Sequence, residues 1–237
     1  MKTNKLVTAG ASLALAIGSV VGIGAAAFGV EVPIDEIGQE VPGEGYPAGQ
    51  WFVGDPAGPE LTQDETGLTV PGRNQLLYGQ SITGVTTDAF TALIEGASVD
   101  ATGTYTFQVP VFFDPEDVDG DGDLLFTTLR PAVPGSPETT TEWTSSRAIP
   151  ALGVAANTPV AFSVIADVFD FALDAEPARS PEILAFGVFV NTGDSAVLTS
   201  VTWDGETWTF ATPTAVVVPP TEAVVPTPIQ NPATFTG

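Results

Sequence analysis

The 237-residue chain has room for one β-rich domain of up to about 200 residues plus tails, or at most two small ones. It contains no His and no Cys, its single Met is Met1, and its only lysines are Lys2 and Lys5. Ser-His-Asp and Cys-His nucleophilic catalysis, thiolate or imidazole zinc sites, Schiff-base chemistry and redox disulfides are therefore excluded, leaving carboxylates, hydroxyls, arginines and aromatics.

Residues 1–27 read as an export signal. Lys2 and Lys5 form a charged start, an uncharged apolar run extends from Leu6 to Phe28, and Ala25-Ala26-Ala27 suits cleavage by the small-residue rule. The alternative is a retained anchor, since the run exceeds the roughly 18 residues needed to span a bilayer, although Gly, Ala and Ser dominate it. Removing the signal removes both lysines and leaves four arginines (Arg73, Arg130, Arg147, Arg179) against 29 acids. Such a surface disfavours nucleic acid and anionic membranes, whose phosphates are bound by Lys and Arg. Cations are its natural partners. An exported chain without cysteine must also be held by core burial, with or without bound metal.

Residues 28–60 are rich in Pro, Gly and acid and predict an extended lead-in or loose first strands. From 61 to 211 the pattern is that of strands. Short ones are expected at 67–70, 74–78, 90–95, 124–130 and 142–147. Tyr105, Phe107, Val109, Val111 and Phe113 alternate with polar or small positions, a half-buried strand in which Pro110 implies an edge or a bulge. Val160, Phe162, Val164, Ala166 and Val168 also alternate, and Phe169 and Phe171 then change face, which predicts a second bulged strand. The run Ile183–Val190 is apolar on both faces and reads as a central strand, with Gly187 admitting another backbone. No stretch shows a helical stripe, and Thr, Val and Phe favour sheet.

The clearest local signal is Asp204-Gly205 between two apolar runs, a two-residue type I′ turn. It sets Trp203 opposite Glu206, Val201 opposite Trp208 and Thr199 opposite Phe210. Val197, Val201, Trp203, Trp208 and Phe210 then share one face, and Ser200, Thr202, Thr207 and Thr209 the other. A shared apolar face assigns both tryptophans to the core, the alternative being a sugar-stacking platform with Trp203 exposed. Residues 212–237 hold six prolines and the quasi-repeat Ala215-Val-Val-Val-Pro-Pro-Thr221, Ala223-Val-Val-Pro-Thr227. They read as a Pro-rich tail or spacer, or as a last edge strand folding back.

About ten strands without helices predict an all-β fold, an antiparallel β-sandwich with jelly-roll-like topology and extended terminal segments. The late strand Phe186-Gly-Val-Phe-Val-Asn191 with its closing hairpin resembles carbohydrate-binding jelly-roll modules and extracellular adhesin domains. The likeness is at fold level, covers about thirty residues and transfers no residue roles.

Asp114-Pro-Glu116-Asp117-Val-Asp119-Gly-Asp121-Gly-Asp123 places six carboxylates within ten residues. Spacing by two lets a curled loop aim successive oxygens at one hard cation, and Gly122 allows a sharp turn. Asp117–Asp123 resembles the first half of the calcium loops of EF-hand, dockerin and thrombospondin type 3 repeats. The resemblance implies Ca2+, with Asp117, Asp119 and Asp121 at the first, third and fifth ligand positions and Asp123 at the seventh, where that family uses a carbonyl. Thr128 stands at the twelfth position in place of a bidentate Glu, and strand follows in place of helix. A strand-connecting calcium loop completed by Asp114 or Glu116 is thus expected rather than an EF-hand, the plain alternative being a solvated acidic turn.

No other carboxylates form a distinctive pair. Asp167, Asp170 and Asp174 end a predicted strand, Glu138 and Glu142 flank Trp143, and Arg73-Asn74-Gln75 is either a polar binding loop or a turn. Catalytic and organic-cofactor residues are not indicated. Three functions remain. The first is an exported, secreted or cell-surface, calcium-stabilised structural or adhesive domain, with an extracellular glycan or cell-envelope protein as partner. The second is a carbohydrate-binding module with an exposed row of Trp51, Trp143 or Tyr78. The third is a glycoside hydrolase, which needs two carboxyls about 5–9.5 Å apart.

Overall fold

The computed structural model describes residues 29–40, 45–54, 58–113, 125–175 and 181–212. Residues 1–27, expected to be an export signal, the aspartate-rich connection and the tail beyond residue 212 lie outside the described residues. In chain order the strands are β1 (Val30–Glu31), β2 (Gly38–Gln39), β3 (Trp51–Val53), β4 (Thr62–Asp64), β5 (Gly67–Pro71) and β6 (Asn74–Thr83). After helix α1 (Thr87–Gly96) come β7 (Ser98–Gly103), β8 (Thr106–Phe113), β9 (Leu125–Pro131), β10 (Glu142–Ser145) and β11 (Val160–Ala161). Helix α2 (Phe162–Ala175) leads to β12 (Glu182–Val190), β13 (Ser195–Trp203) and β14 (Glu206–Thr209).

The strands form two sheets. The smaller runs β1-β14-β13-β5-β4 with β7 also paired to β13, and the larger runs β11-β10-β9-β8-β12-β6-β3-β2. They share one core. Trp203 of the smaller sheet stacks on Phe186 of the larger at 4.8 Å and 13°, with Phe107 at 5.9 Å. Trp51 of β3 meets Trp208 at 5.8 Å and Phe210 at 5.0 Å, edge to face. Such aromatic pairs contribute about 0.5–1.5 kcal/mol each beyond the area they bury. A mostly β, two-sheet architecture is therefore present.

Three expectations need correction. The sheets are mixed, not purely antiparallel, because β1 runs parallel to β14 and β2 parallel to β3. The chain also forms two helices where strands were expected, at 90–95 and from 162 onward. In α2, Phe162, Ile165, Ala166, Val168 and Phe169 are buried while Asp167 and Asp170 are exposed, so the real spacing is three and four rather than two. In α1 the buried residues are Phe90 and Ile94, four apart, and the Thr86 hydroxyl caps the first turn by accepting from Ala89 N at 3.1 Å. The helices meet through Phe90 and Phe169 at 4.5 Å and Phe90 and Phe162 at 5.8 Å, and Phe162 lies 5.4 Å from Trp143 of β10. They cover the part of the larger sheet that holds β10. Among the described residues, no helix is long and apolar enough to cross a membrane.

The third correction concerns β8, which is neither half-buried nor an edge. It lies between β9 and β12 and buries Thr106, Gln108 and Pro110 as well as Phe107, Val109 and Val111. Pro110 is accommodated by the expected bulge, since the β8–β12 register shifts between Ile183 and Gly187 while β8–β9 pairing continues through Pro110 and Thr128. The central position of β12, by contrast, is as expected. A Cβ on Gly187 would fall 2.1 Å from the Leu76 carbonyl oxygen, so the ladder to β6 closes only over glycine.

The final hairpin has the expected register, with Trp203 opposite Glu206, Val201 opposite Trp208, and Phe210 N donating to the Thr199 carbonyl at 2.9 Å. Asp204 and Gly205 have φ of 50° and 76°, as a type I′ turn requires. On the face away from the core the Thr202 and Thr207 hydroxyls are 3.0 Å apart. The core face departs from simple alternation at one point. A register shift against β7 between Leu198 and Ser200 turns Ala196 and Leu198 inward in place of Val197.

Residues expected as a lead-in or loose first strands supply β1, β2 and β3 and put Val32, Trp51, Phe52 and Val53 into buried positions. Gln63 secures this segment. Its amide donates to the Val32 and Phe210 carbonyls at 2.8 and 2.7 Å and accepts from Ile34 N at 2.8 Å.

Candidate functional site

The β8–β9 ladder frames the aspartate-rich connection. Pairing runs from Val109 opposite Leu129 to Phe113 opposite Leu125, so the two residues that flank the 114–124 segment are partners in the ladder. Asp114, Glu116, Asp117, Asp119, Asp121 and Asp123 lie outside the described residues. The frame itself is firmly tied. One residue in from the end, the Phe112 and Phe126 rings meet edge to face at 5.6 Å, Phe126 meets Tyr46 at 6.3 Å, and Tyr46 lies 5.2 Å from Phe52. Burial, and then the nearby Glu40 carboxylate, push the Tyr46 hydroxyl up to about 12. Glu40 is itself raised by burial.

The next ladder position carries hydroxyls. Thr127 Oγ1 lies 2.7 Å from Ser145 Oγ and 3.0 Å from Ser146 Oγ, and it accepts from Arg147 N at 3.1 Å. Ser146 Oγ accepts from Thr128 N at 2.9 Å. Thr127 and Ser145 are fully buried, so these bonds satisfy groups that would otherwise be costly to desolvate. They fasten β9 to β10.

The remaining sequence candidates have structural surroundings. Asp167 and Asp170 sit on α2, not at a strand end. Asp170 accepts from Thr87 N at 2.9 Å, a carboxylate placed at the N-terminus of α1. The Glu138 carbonyl accepts from Trp143 Nε1 at 2.8 Å, while Glu138 and Glu142 are exposed. Arg73 has φ of 62° and donates its backbone N–H to the Val190 carbonyl at 2.7 Å. Asn74 is buried and ties two segments by donating to the Pro59 and Pro71 carbonyls at 2.9 Å each. Arg73 thus belongs to the turn between β5 and β6, and Asn74-Gln75 open β6. Among the described residues, no group of three or more acidic residues is placed to hold a metal ion.

All four tryptophans are buried: Trp51, Trp143, Trp203 and Trp208 are 3%, 0%, 1% and 5% exposed. Tyr78 is half-buried, 4.7 Å from Trp208 and 5.5 Å from Trp51. Trp51 and Trp143 therefore belong to the core, with Tyr78 packed against it, and Trp203 stacks on Phe186 between the two sheets. Sequence patterning passed over Gln80 and Glu206, which line a cavity beside the Asp204-Gly205 turn. The sign of it was Glu206 following Asp204 in a turn already recognised. Comparison with protein-family models, with curated proteins and with solved structures gave no match.

Proposed function

We propose that the chain is an exported, acidic β-sandwich domain of the cell surface or extracellular space, structural or adhesive in role and stabilised by Ca2+ bound in the β8–β9 connection. The observation that carries this reading is the pairing of Phe113 with Leu125, the residues that flank a segment bearing six carboxylates. Six carboxylates within ten residues repel one another unless a cation neutralises them. Asp117, Asp119, Asp121 and Asp123 are the proposed ligands, with Asp114 or Glu116 completing the shell, as suits a cation that takes several oxygens at about 2.3–2.6 Å. The excess of acid elsewhere keeps the domain soluble and favours cationic over polyanionic partners.

A jelly-roll-like path belongs to the same proposal. Consecutive strands β5 and β6, β7 and β8, and β12 and β13 lie in opposite sheets, so the chain repeatedly crosses from one layer to the other. An extracellular glycan or a cell-envelope protein is the proposed partner. Isothermal titration of the chain lacking residues 1–27 with CaCl2 tests the cation. Heat of binding is expected in the wild type and not in Asp119→Ala/Asp121→Ala, and a wild type that gives no heat sinks the reading.

A further inference from the structure

The first described residues aim the chain at the Asp204-Gly205 turn. β1 runs parallel to β14 at the edge of the smaller sheet, with Val30 opposite Trp208 and Glu31 opposite Thr209. Continued backward, that register sets Gly29 opposite Thr207 and position 28 opposite Glu206. Gly29 keeps to it: a Cβ there would fall 2.7 Å from Thr209 Cγ2 and 2.9 Å from the Thr207 carbonyl oxygen. Only glycine can lie this close to β14. Thr207 and Thr209 alternate with the buried Trp208 and face away from the core, so the side-chain direction at residue 29 is outward. Successive residues of a strand point to opposite faces. Val32, which is buried, and Val30 therefore turn inward, and a strand continued one residue further turns position 28 inward as well. That position is Phe28, which lies outside the described residues.

On this inward side lies a cavity of about 230 Å³, lined by Tyr78 and Gln80 of β6 and by Trp203, Asp204, Glu206 and Trp208 of the β13–β14 hairpin. It is smaller than the roughly 300–1,000 Å³ of pockets that take free ligands, which suits a single side chain. Tyr78 and Trp208 supply rings 4.7 Å apart at 40°, and aromatic walls favour an aromatic occupant. Val30, opposite Trp208, is 57% exposed and lacks a neighbour on its N-terminal side among the described residues. Burial, and then the Glu206 carboxylate, push the Tyr78 hydroxyl up, which sets that negative charge against the aromatic wall.

We propose that Phe28 closes this cavity, its ring packed on Tyr78 and Trp208, and that in the chain cleaved after Ala27 its α-ammonium pairs with Glu206. Cleavage then creates a cation at the hairpin turn in a chain whose only other cations are four arginines. It also fastens β1, a strand of only two residues. Removal of the export signal thus completes the domain. A residue left ahead of Phe28 keeps the ring in reach of the cavity and moves the charge away from Glu206. The proposal rests on the export reading for the position of the cleavage and is independent of Ca2+.

NMR on a chain prepared to begin at Phe28 tests it. A failed calcium titration or a different cleavage site in the cell leaves this test intact. Nuclear Overhauser contacts are expected from the Phe28 ring to ring protons of Tyr78 and Trp208, and Phe28→Ala should lower Tm by roughly 3–12 °C. This chain has no lysine, so acetylation with an N-hydroxysuccinimide ester at pH 7 falls on its α-amine. Acetylation should lower Tm by roughly 1–4 °C in the wild type and not in Glu206→Gln. Absence of the ring contacts, or a Phe28→Ala chain that melts with the wild type, would overturn the closure. An acetylated wild type that melts with the unmodified chain, or an equal loss in Glu206→Gln, would overturn the ion pair.

Discussion

Gly187→Ala tests the packing at the centre of the larger sheet. The added methyl would sit 2.1 Å from the Leu76 carbonyl oxygen, 2.9 Å from Leu77 Cα and 3.0 Å from the Leu76 carbonyl carbon. These are backbone atoms of β6, and no side chain can rotate to make room. Relief requires β12 and β6 to separate by more than about 1 Å to restore ordinary contact. That shift would disturb the pairs Phe186–Tyr78 and Val188–Leu76 and loosen Phe186 from the Trp203 ring it stacks on. Overpacking of this kind costs about 1–3 kcal/mol, and φ of 157° at residue 187 adds about 1 kcal/mol of backbone strain for alanine. The total of about 2–4 kcal/mol should lower Tm by roughly 4–16 °C. Gly96→Ala is the matched control, because it ends α1 with nothing within 4 Å of its added Cβ. It should stabilise by about 0.4–1 kcal/mol. Urea unfolding followed by tryptophan fluorescence measures both. A Gly187→Ala chain that unfolds at the wild-type midpoint would refute the reasoning.

The start of α1 offers a second test. Thr86→Ala removes the cap to Ala89 N and should cost about 1 kcal/mol in urea unfolding. Asp170→Asn should cost less, because an amide oxygen can still accept from Thr87 N; a larger loss for Asp170→Asn than for Thr86→Ala would contradict this assignment. The alkaline limb of stability tests Tyr46. Its folded pKa, at about 12, lies above the ordinary tyrosine value near 10, so the folded state holds the proton longer and stability must decline as pH rises from about 10 toward 12. Tyr46→Phe should flatten that decline in melts taken across the range, and an unchanged slope would contradict the assignment.

What could be read from the sequence was local chemistry. Asp204-Gly205 determines its own backbone conformation, and with it the register of the last hairpin. Ile183–Val190 announced a central strand because both its faces are apolar, and Gly187 marked the close approach. The helices were hidden because α2 has enough apolar residues to satisfy two periods at once. Val160, Phe162, Val164, Ala166 and Val168 mimic alternation, yet Ile165 and Phe169 break it, and Phe162, Ile165, Ala166 and Phe169 fall at helical spacing. Asp167 and Asp170 mark the opposite, solvated face. Packing on Trp143 and Phe90 then overrides the β preference of Val and Phe.

The slip at Leu198 and Ser200 depends on β7, a partner nearly one hundred residues away, so alternation along β13 alone pointed to Val197. The cavity beside the turn was hidden for the same reason. Tyr78 and Gln80 reach it from a strand of the other sheet. The acidic segment was legible as a composition and a spacing, and the structure adds the ladder that pairs its flanking residues Phe113 and Leu125.

Thermal unfolding of the chain lacking residues 1–27, in Ca2+ and in excess chelator, tests the central claim most directly. A cation bound only by the folded state stabilises it by about 2.7 kcal/mol at one hundred times its Kd, which should raise Tm by roughly 5–11 °C. The same comparison in Asp119→Ala/Asp121→Ala should show little or no rise. A wild-type Tm that is equal in Ca2+ and chelator, or a rise that persists in the variant, would contradict the account.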